Sequence, residues 1–172
     1  MKCYAGIGSR EITNKEKKLI PKLAELMAEK NWVLYSGNSN GSDIAFQTGS
    51  NGKCVIMLPW NKFNIDNYDY KNSIDYFILG NEKESIESIE KYHPNPSALK
   101  YGGRALMARN YYQVMGYDKY LKVGLVICCA NPLKNGEVEG GTGQAVRIAL
   151  KNNIPVINIR TNNWKEELSK YI

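Results

Sequence analysis

The run Trp32-Val33-Leu34-Tyr35-Ser36-Gly37-Asn38-Ser39-Asn40-Gly41-Ser42-Asp43 decides how the chain is read. Its first four residues are apolar, of the aromatic and β-branched kind that suits a strand. Eight small or polar residues follow, and then a short helical pattern containing Ala45 and Phe46, with Gly49 placed to close it. A strand, a glycine-bearing loop and a helix start form an anion pocket. Small residues let the backbone approach, and the N–H groups of the first helical turn point at the ligand.

The same composition recurs in Gly6-Ile7-Gly8-Ser9-Arg10 and in Gly140-Gly141-Thr142-Gly143-Gln144. Strands are expected over 3–7, 33–36, 54–58, 123–128 and 155–159. Between them lie a helix capped by Thr13 and Glu16, whose stripe carries Leu19, Leu23 and Met27, a polar helix over 81–92 with Ile86 and Ile89 inward, and helices over 104–115 and 164–171. Residues 60–79 lack clear periodicity and read as a long ordered loop with one short strand near Tyr76 to Ile78. The alternation predicts an α/β fold: a Rossmann-like, doubly wound, mainly parallel sheet of about five to seven strands with helices on both faces. In such sheets the ligand sits beyond the carboxyl ends of the strands. All three glycine loops follow strands, so one edge should collect them around a shared pocket for a nucleotide or another phosphate compound.

At 172 residues the chain is most simply one domain, 1–172. No apolar run approaches the ~20 residues that span a bilayer, and the N-terminus has no apolar signal core, so a cytoplasmic protein with no membrane partner is expected. The formal charge of +6 favours anionic partners, but the basic residues are scattered, with Lys15, Lys17 and Lys18 the only tight cluster. Cys3, Cys54, Cys128 and Cys129 lie in or beside expected strands and form no Cys-x-x-Cys pair, which reads as reduced and buried. A single histidine, His93, leaves a zinc site or a histidine-based triad without partners. No cofactor is expected.

Several side chains admit two roles each. Arg109 falls at the edge of an apolar stripe made by Ala105, Ala108, Tyr112 and Met115, so it must reach a carboxylate or point into a polar cavity. Asp43 either caps its helix or holds a ribose hydroxyl. Asn38 is either a left-handed turn residue or a donor to a ribose or base edge. Trp60 and Phe63 either stack on a base or pack in the core.

Four motifs in order, Tyr4-Ala5-Gly6-Ile7-Gly8-Ser9-Arg10, Ser36-Gly37-Asn38-Ser39-Asn40-Gly41-Ser42-Asp43, Met107-Ala108-Arg109-Asn110 and Gly140-Gly141-Thr142-Gly143-Gln144, resemble the DprA/LOG superfamily, also called SLOG. The resemblance spans nearly the whole chain and is closest to small phage-borne DprA-like proteins, whose usual second motif is Ser-Gly-Gly-Ala-x-Gly-Ala-Asp. It implies a Rossmann-like fold, frequent homo-oligomers and one of three functions: release of a base from a nucleoside monophosphate, binding of single-stranded DNA, or capture of nucleotide signals such as cyclic ADP-ribose isomers.

The departures from the pattern choose among these. The LOG enzymes carry Pro-Gly-Gly-x-Gly-Thr-x-x-Glu, whose glutamate helps cleave the glycosidic bond. Here Glu139 replaces the proline, Gln144 the threonine, and Arg147 stands where the glutamate belongs. Catalysis through that carboxylate is therefore not expected, and Glu137 or Glu139 would have to act from a different geometry. The leading expectation is a protein that captures a nucleotide-derived ligand without turnover, a phage anti-defence sponge for an immune second messenger. Single-stranded DNA binding ranks second and LOG-like cleavage third. The expected ligand contacts are Gly8, Ser9, Arg10, Ser36, Gly37, Asn38, Gly41, Asp43, Arg109, Asn110, Gly140, Gly141, Thr142, Gly143 and Gln144.

Overall fold

Short apolar runs with no polar alternation are buried on both faces, and here they make a fully parallel sheet. The computed structural model describes every residue from Met1 to Ile172. Its strands are β1 (Lys2–Gly8), β2 (Trp32–Ser36), β3 (Cys54–Leu58), β4 (Asp75–Ile78), β5 (Leu125–Cys129) and β6 (Val156–Asn158), in the order β4-β3-β2-β1-β5-β6. Every residue of β2, β3 and β5 is buried.

The six helices are α1 (Asn14–Glu29), α2 (Ser42–Gly49), α3 (Lys83–Tyr92), α4 (Tyr101–Met115), α5 (Thr142–Lys151) and α6 (Trp164–Leu168). One face of the sheet packs Tyr4, Leu34, Ile56 and Ile127 against Ile20, Leu23 and Met27 of α1, Phe46 of α2 and Leu168 of α6. The other packs Ala5, Tyr35, Met57 and Val126 against Tyr112 of α4 and Ala145, Ile148 and Ala149 of α5. The change of face follows from handedness. Moving from β1 out to β4 and then back across to β5 and β6 requires right-handed crossovers to lie on opposite sides.

Most local signals in the sequence match the elements that form. Thr13 Oγ1 accepts from the Glu16 N–H at 3.2 Å, and Glu16 accepts from the Thr13 N–H at 2.8 Å, which is the expected capping box. Gly49 does end α2, and a side chain there would overlap the Pro21 carbonyl of α1, so the glycine also sets the spacing of the two helices. The expected strand near Tyr76 is β4, a sheet edge whose residues are half-buried or exposed, which explains its weak pattern. The rest of 60–79 is turns and a short 3-10 helix, Tyr70–Asn72.

Several boundaries differ. Helix α4 begins one turn before Arg104, because tertiary contacts override the two glycines of its first turn. Arg104 bonds the Pro96 carbonyl at 3.1 Å and Glu90 at 2.9 Å. Strand β5 starts at Leu125, since the Val123 and Gly124 N–H groups bond Val114 and Cys3 carbonyls. Strand β6 is only three residues long, and α6 stops at Leu168.

Candidate functional site

Strands β1 and β5 are neighbours, yet the chain leaves them in opposite directions, so their carboxyl ends flank the switch point of the sheet. A cleft of about 580 Å³ lies there, and only five of its twenty lining residues are hydrophobic. That polarity suits a hydrogen-bonding ligand.

The first loop enters from β1. A side chain at Gly8 would come within 2.5 Å of the Cys129 carbonyl and of Ser42 Oγ, so glycine lets β1, β5 and α2 meet. Ser9 is fixed on both sides: its N–H bonds the Cys129 carbonyl at 2.8 Å, and its carbonyl accepts from the Ser42 N–H at 3.0 Å and hydroxyl at 2.9 Å. Arg10 is exposed, lines the cleft and pairs with no group of the chain.

The second loop turns most of its polar groups inward. Ser36 is fully buried under the Gly6 carbonyl. Asn38 adopts φ of +59°, and its side chain bonds the Phe63 carbonyl at 2.8 Å and Gln47 at 2.7 Å. Gly41, at φ of +83°, sits against the Arg10 carbonyl. A side chain at Gly37 would overlap Arg109 Nη1, so this glycine makes room for the guanidinium. None of these four residues lines the cleft; from this segment only Ser39 and Asp43 do. The N–H groups of Asn38, Ser39, Ser42, Ile44 and Ala45 all bond within the protein.

Arg109 makes both of the contacts open to it. Its Nη1 reaches Asp43 Oδ2 at 3.5 Å and bonds Gln113 Oε1, while Nη2 bonds Ser39 Oγ at 2.6 Å. It also lines the cleft, at 4% exposure. Burial pushes the Asp43 carboxyl up, and the Arg109 charge pulls it back. Burial pulls Arg109 down, opposed by Asp43, and a guanidinium stays protonated under such pressure. Two donors in this cluster, Arg109 Nε and Gln113 Nε2, are buried without a partner.

The third loop is arranged in the opposite sense. Gly140 (φ of +72°), Gly141 and Thr142 line the cleft, and their N–H groups donate to nothing in the chain. Asn110 lines it too and donates to the Gly141 carbonyl at 3.2 Å. Gly143 and Gln144 face away. A side chain at Gly143 would meet the Val138 carbonyl at 2.7 Å, and buried Gln144 accepts from Arg147 at 3.2 Å. Arg147 also bonds the Tyr92 carbonyl at 2.7 Å and pairs with Glu137 at 3.8 Å, which draws Glu137 away. Glu139 does line the cleft, and it accepts from Asn131 at 3.0 Å.

Sequence reasoning missed Glu11, Met107, Gln113, Asn131 and Arg160 as lining residues. Gln113 stands one helical turn after Arg109, and Arg160 follows the last strand at the carboxyl edge; both positions were findable by spacing. Arg160 is a hub. It pairs with Glu16 through Nε at 2.7 Å and Nη2 at 3.1 Å, and bonds the Glu11 carbonyl at 3.1 Å and Asn131 at 2.9 Å. That hydrogen bonding holds the Glu16 carboxyl down to about 2. Trp60 and Phe63 do not line the cleft; their rings pack edge to face at 4.9 Å.

Sheet order defines an open, wholly parallel α/β protein with a polar cleft at the switch point. Solved structures share that fold. Over 98% of this chain and 72% of the other, it is similar to DNA processing protein A from Helicobacter pylori, described for its single-stranded DNA binding mode (TM-score 0.60, 19% identity). The Streptococcus pneumoniae DprA gives 0.58 at 16% identity, with 99% of this chain matched to 56% of that protein. A molybdenum cofactor binding protein from Rippkaea orientalis gives 0.58 at 19% identity over 98% and 82% of the two chains. Neither a protein-family model nor a curated protein sequence matches the chain. No helix is long and apolar enough to cross a membrane.

Proposed function

We propose that this chain binds a nucleotide-derived small molecule in the switch-point cleft and holds it without turnover. The observation that carries the reading is the convergence of three separate turns on one polar cleft, with Arg10 and the N–H groups of Gly140, Gly141 and Thr142 left unengaged. Such donors suit phosphate. Structural neighbours that bind single-stranded DNA or a molybdenum cofactor support a ligand-binding use of the fold. The four-motif resemblance to small phage-borne proteins extends the reading to sequestration of an immune second messenger by a homo-oligomer.

Retention is favoured over cleavage because Arg147 occupies the position of the LOG glutamate and clamps α5 to the end of α3. A small ligand is favoured over DNA because the free donors gather in one cleft and not along a track. Calorimetry against cyclic ADP-ribose isomers, cyclic dinucleotides and AMP should give saturable binding to at least one, with no free base by chromatography. No binding to any of them rejects the proposal. Release of base, abolished by Glu139→Gln, would replace it with the hydrolase reading. Oligonucleotide binding that weakens steeply with salt would replace it with the DNA reading. Native mass spectrometry gives the subunit count.

A further inference from the structure

Resting on that reading, we infer that Arg109 and Gln113 form a neutral floor that takes an uncharged oxygen acceptor of the ligand, and that the phosphate binds elsewhere, at Arg10 and the start of α5.

The argument begins with charge. Arg109 and Asp43 lie 3.5 Å apart, and their side chains are only 5% and 4% exposed. The pair is close to neutral, so a phosphate placed on Arg109 would also face the Asp43 carboxylate in a poorly solvated site. Arg10 carries no such partner. The rim carboxylates, Glu11 and Glu139, are exposed and free to turn to water.

Hydrogen-bond direction supplies the second step. A guanidinium only donates, so the Gln113 atom facing Arg109 Nη1 is the amide oxygen. This fixes the amide orientation and leaves Nε2 as a donor. Gln113 is fully buried, it lines the cleft, and neither its Nε2 nor Arg109 Nε has an acceptor. Leaving buried donors in this state is costly. An uncharged ligand oxygen accepts from such donors without opposing Asp43. On a nucleotide that oxygen is either a base carbonyl or a ribose hydroxyl, and the two share this chemistry.

Four probes separate the possibilities by calorimetry: pyrophosphate, ribose 5-phosphate, AMP and GMP. Arg10→Gln should weaken all four about tenfold. Gln113→Met should leave pyrophosphate unchanged and weaken the preferred nucleotide about tenfold, the scale of one buried hydrogen bond. If the acceptor is a base carbonyl, GMP binds better than AMP and ribose 5-phosphate is insensitive to Gln113. If it is a ribose hydroxyl, GMP and AMP bind alike and ribose 5-phosphate responds as they do. Gln113→Glu keeps the oxygen that Arg109 needs and lacks the N–H, so it repeats the test should the methionine variant fail to fold. Pyrophosphate weakened by Gln113→Met as much as the nucleotides would overturn the placement. Nucleotides that bind both Gln113 variants as tightly as wild type overturn this inference and leave nucleotide binding standing. A wild-type protein that binds none of the four overturns this inference, whereas the nucleotide-binding reading falls only if the cyclic nucleotides also fail to bind.

Discussion

The turn over 36–43 and the turn over 140–144 have nearly the same composition and sit on the same edge of the sheet, yet their polar groups face opposite ways. In the first, the main-chain N–H groups of Asn38, Ser39 and Ser42 bond the protein itself, Asn38 is locked against Phe63 and Gln47, and glycine serves to admit a neighbouring guanidinium. In the second, three successive N–H groups are left open and nothing lies within 4 Å of where a Gly140 side chain would stand. A glycine-rich turn can therefore be an internal joint or a ligand cradle. The neighbours decide which: the 36–43 turn is pressed between β1, α4 and the 60–69 segment, whereas the 140–144 turn borders the cleft. The loop after β1 lies between these extremes, with Ser9 fixed and Arg10 unpaired.

The largest test of the contrast is Gly37→Ala. The new methyl group displaces the Arg109 guanidinium and leaves Asp43 buried without its cation, which should cost about 3–5 kcal/mol by chemical denaturation. A loss under about 1 kcal/mol would mean that the joint is far softer than its packing indicates.

The intermediate loop answers to pH. The Glu16 carboxyl titrates near 2 in the folded protein, against an ordinary 4.5. A depressed carboxyl adds stability that is complete above 4.5 and lost as the pH falls toward 2. At ~1.4 kcal/mol per pH unit this amounts to roughly 3 kcal/mol. Urea titrations from pH 5 to pH 2 should show that decline in wild type and a flatter profile in Glu16→Gln. Parallel profiles would show that Arg160 is not the clamp on this loop.

A smaller effect belongs to the open turn. Gly140→Ala should cost only about 1–2 kcal/mol, the strain of a left-handed backbone with no clash behind it. Its destabilisation must fall below that of Gly37→Ala, or the two turns are not the opposites described. Least of all, Arg10→Gln should leave stability within about 0.5 kcal/mol of wild type, since the side chain is exposed and makes no hydrogen bond or ion pair. Thermal unfolding with and without pyrophosphate reads this directly: the melting temperatures match without the anion, and wild type gains more from it than the variant does.

Much of this was legible in the sequence because it rests on local pattern. Apolar runs at 33–36, 54–58 and 123–128 announce buried parallel strands, and Thr13 with Glu16 announces a helix start. Their meeting at one edge follows from winding alone. What stayed hidden is where each donor goes. Asn38 and Gly37 are small or polar residues in the right motifs, but their partners, Phe63 and Arg109, come from other segments and cannot be inferred from composition. Arg160 and Gln113 lie outside every glycine motif, so a search guided by those motifs passes over them. The edge strand β4 is only partly readable, because a half-exposed strand of four residues hardly differs in pattern from a loop.

The Arg160 clamp has a consequence for how the molecule comes into being. It joins positions 144 residues apart, so one wall of the cleft is assembled only after the final strand has been laid down. Contacts this distant along the chain close late and slow the approach to the native state. A growing chain that has not yet reached β6 and Arg160 would hold a sheet centre and an incomplete recess.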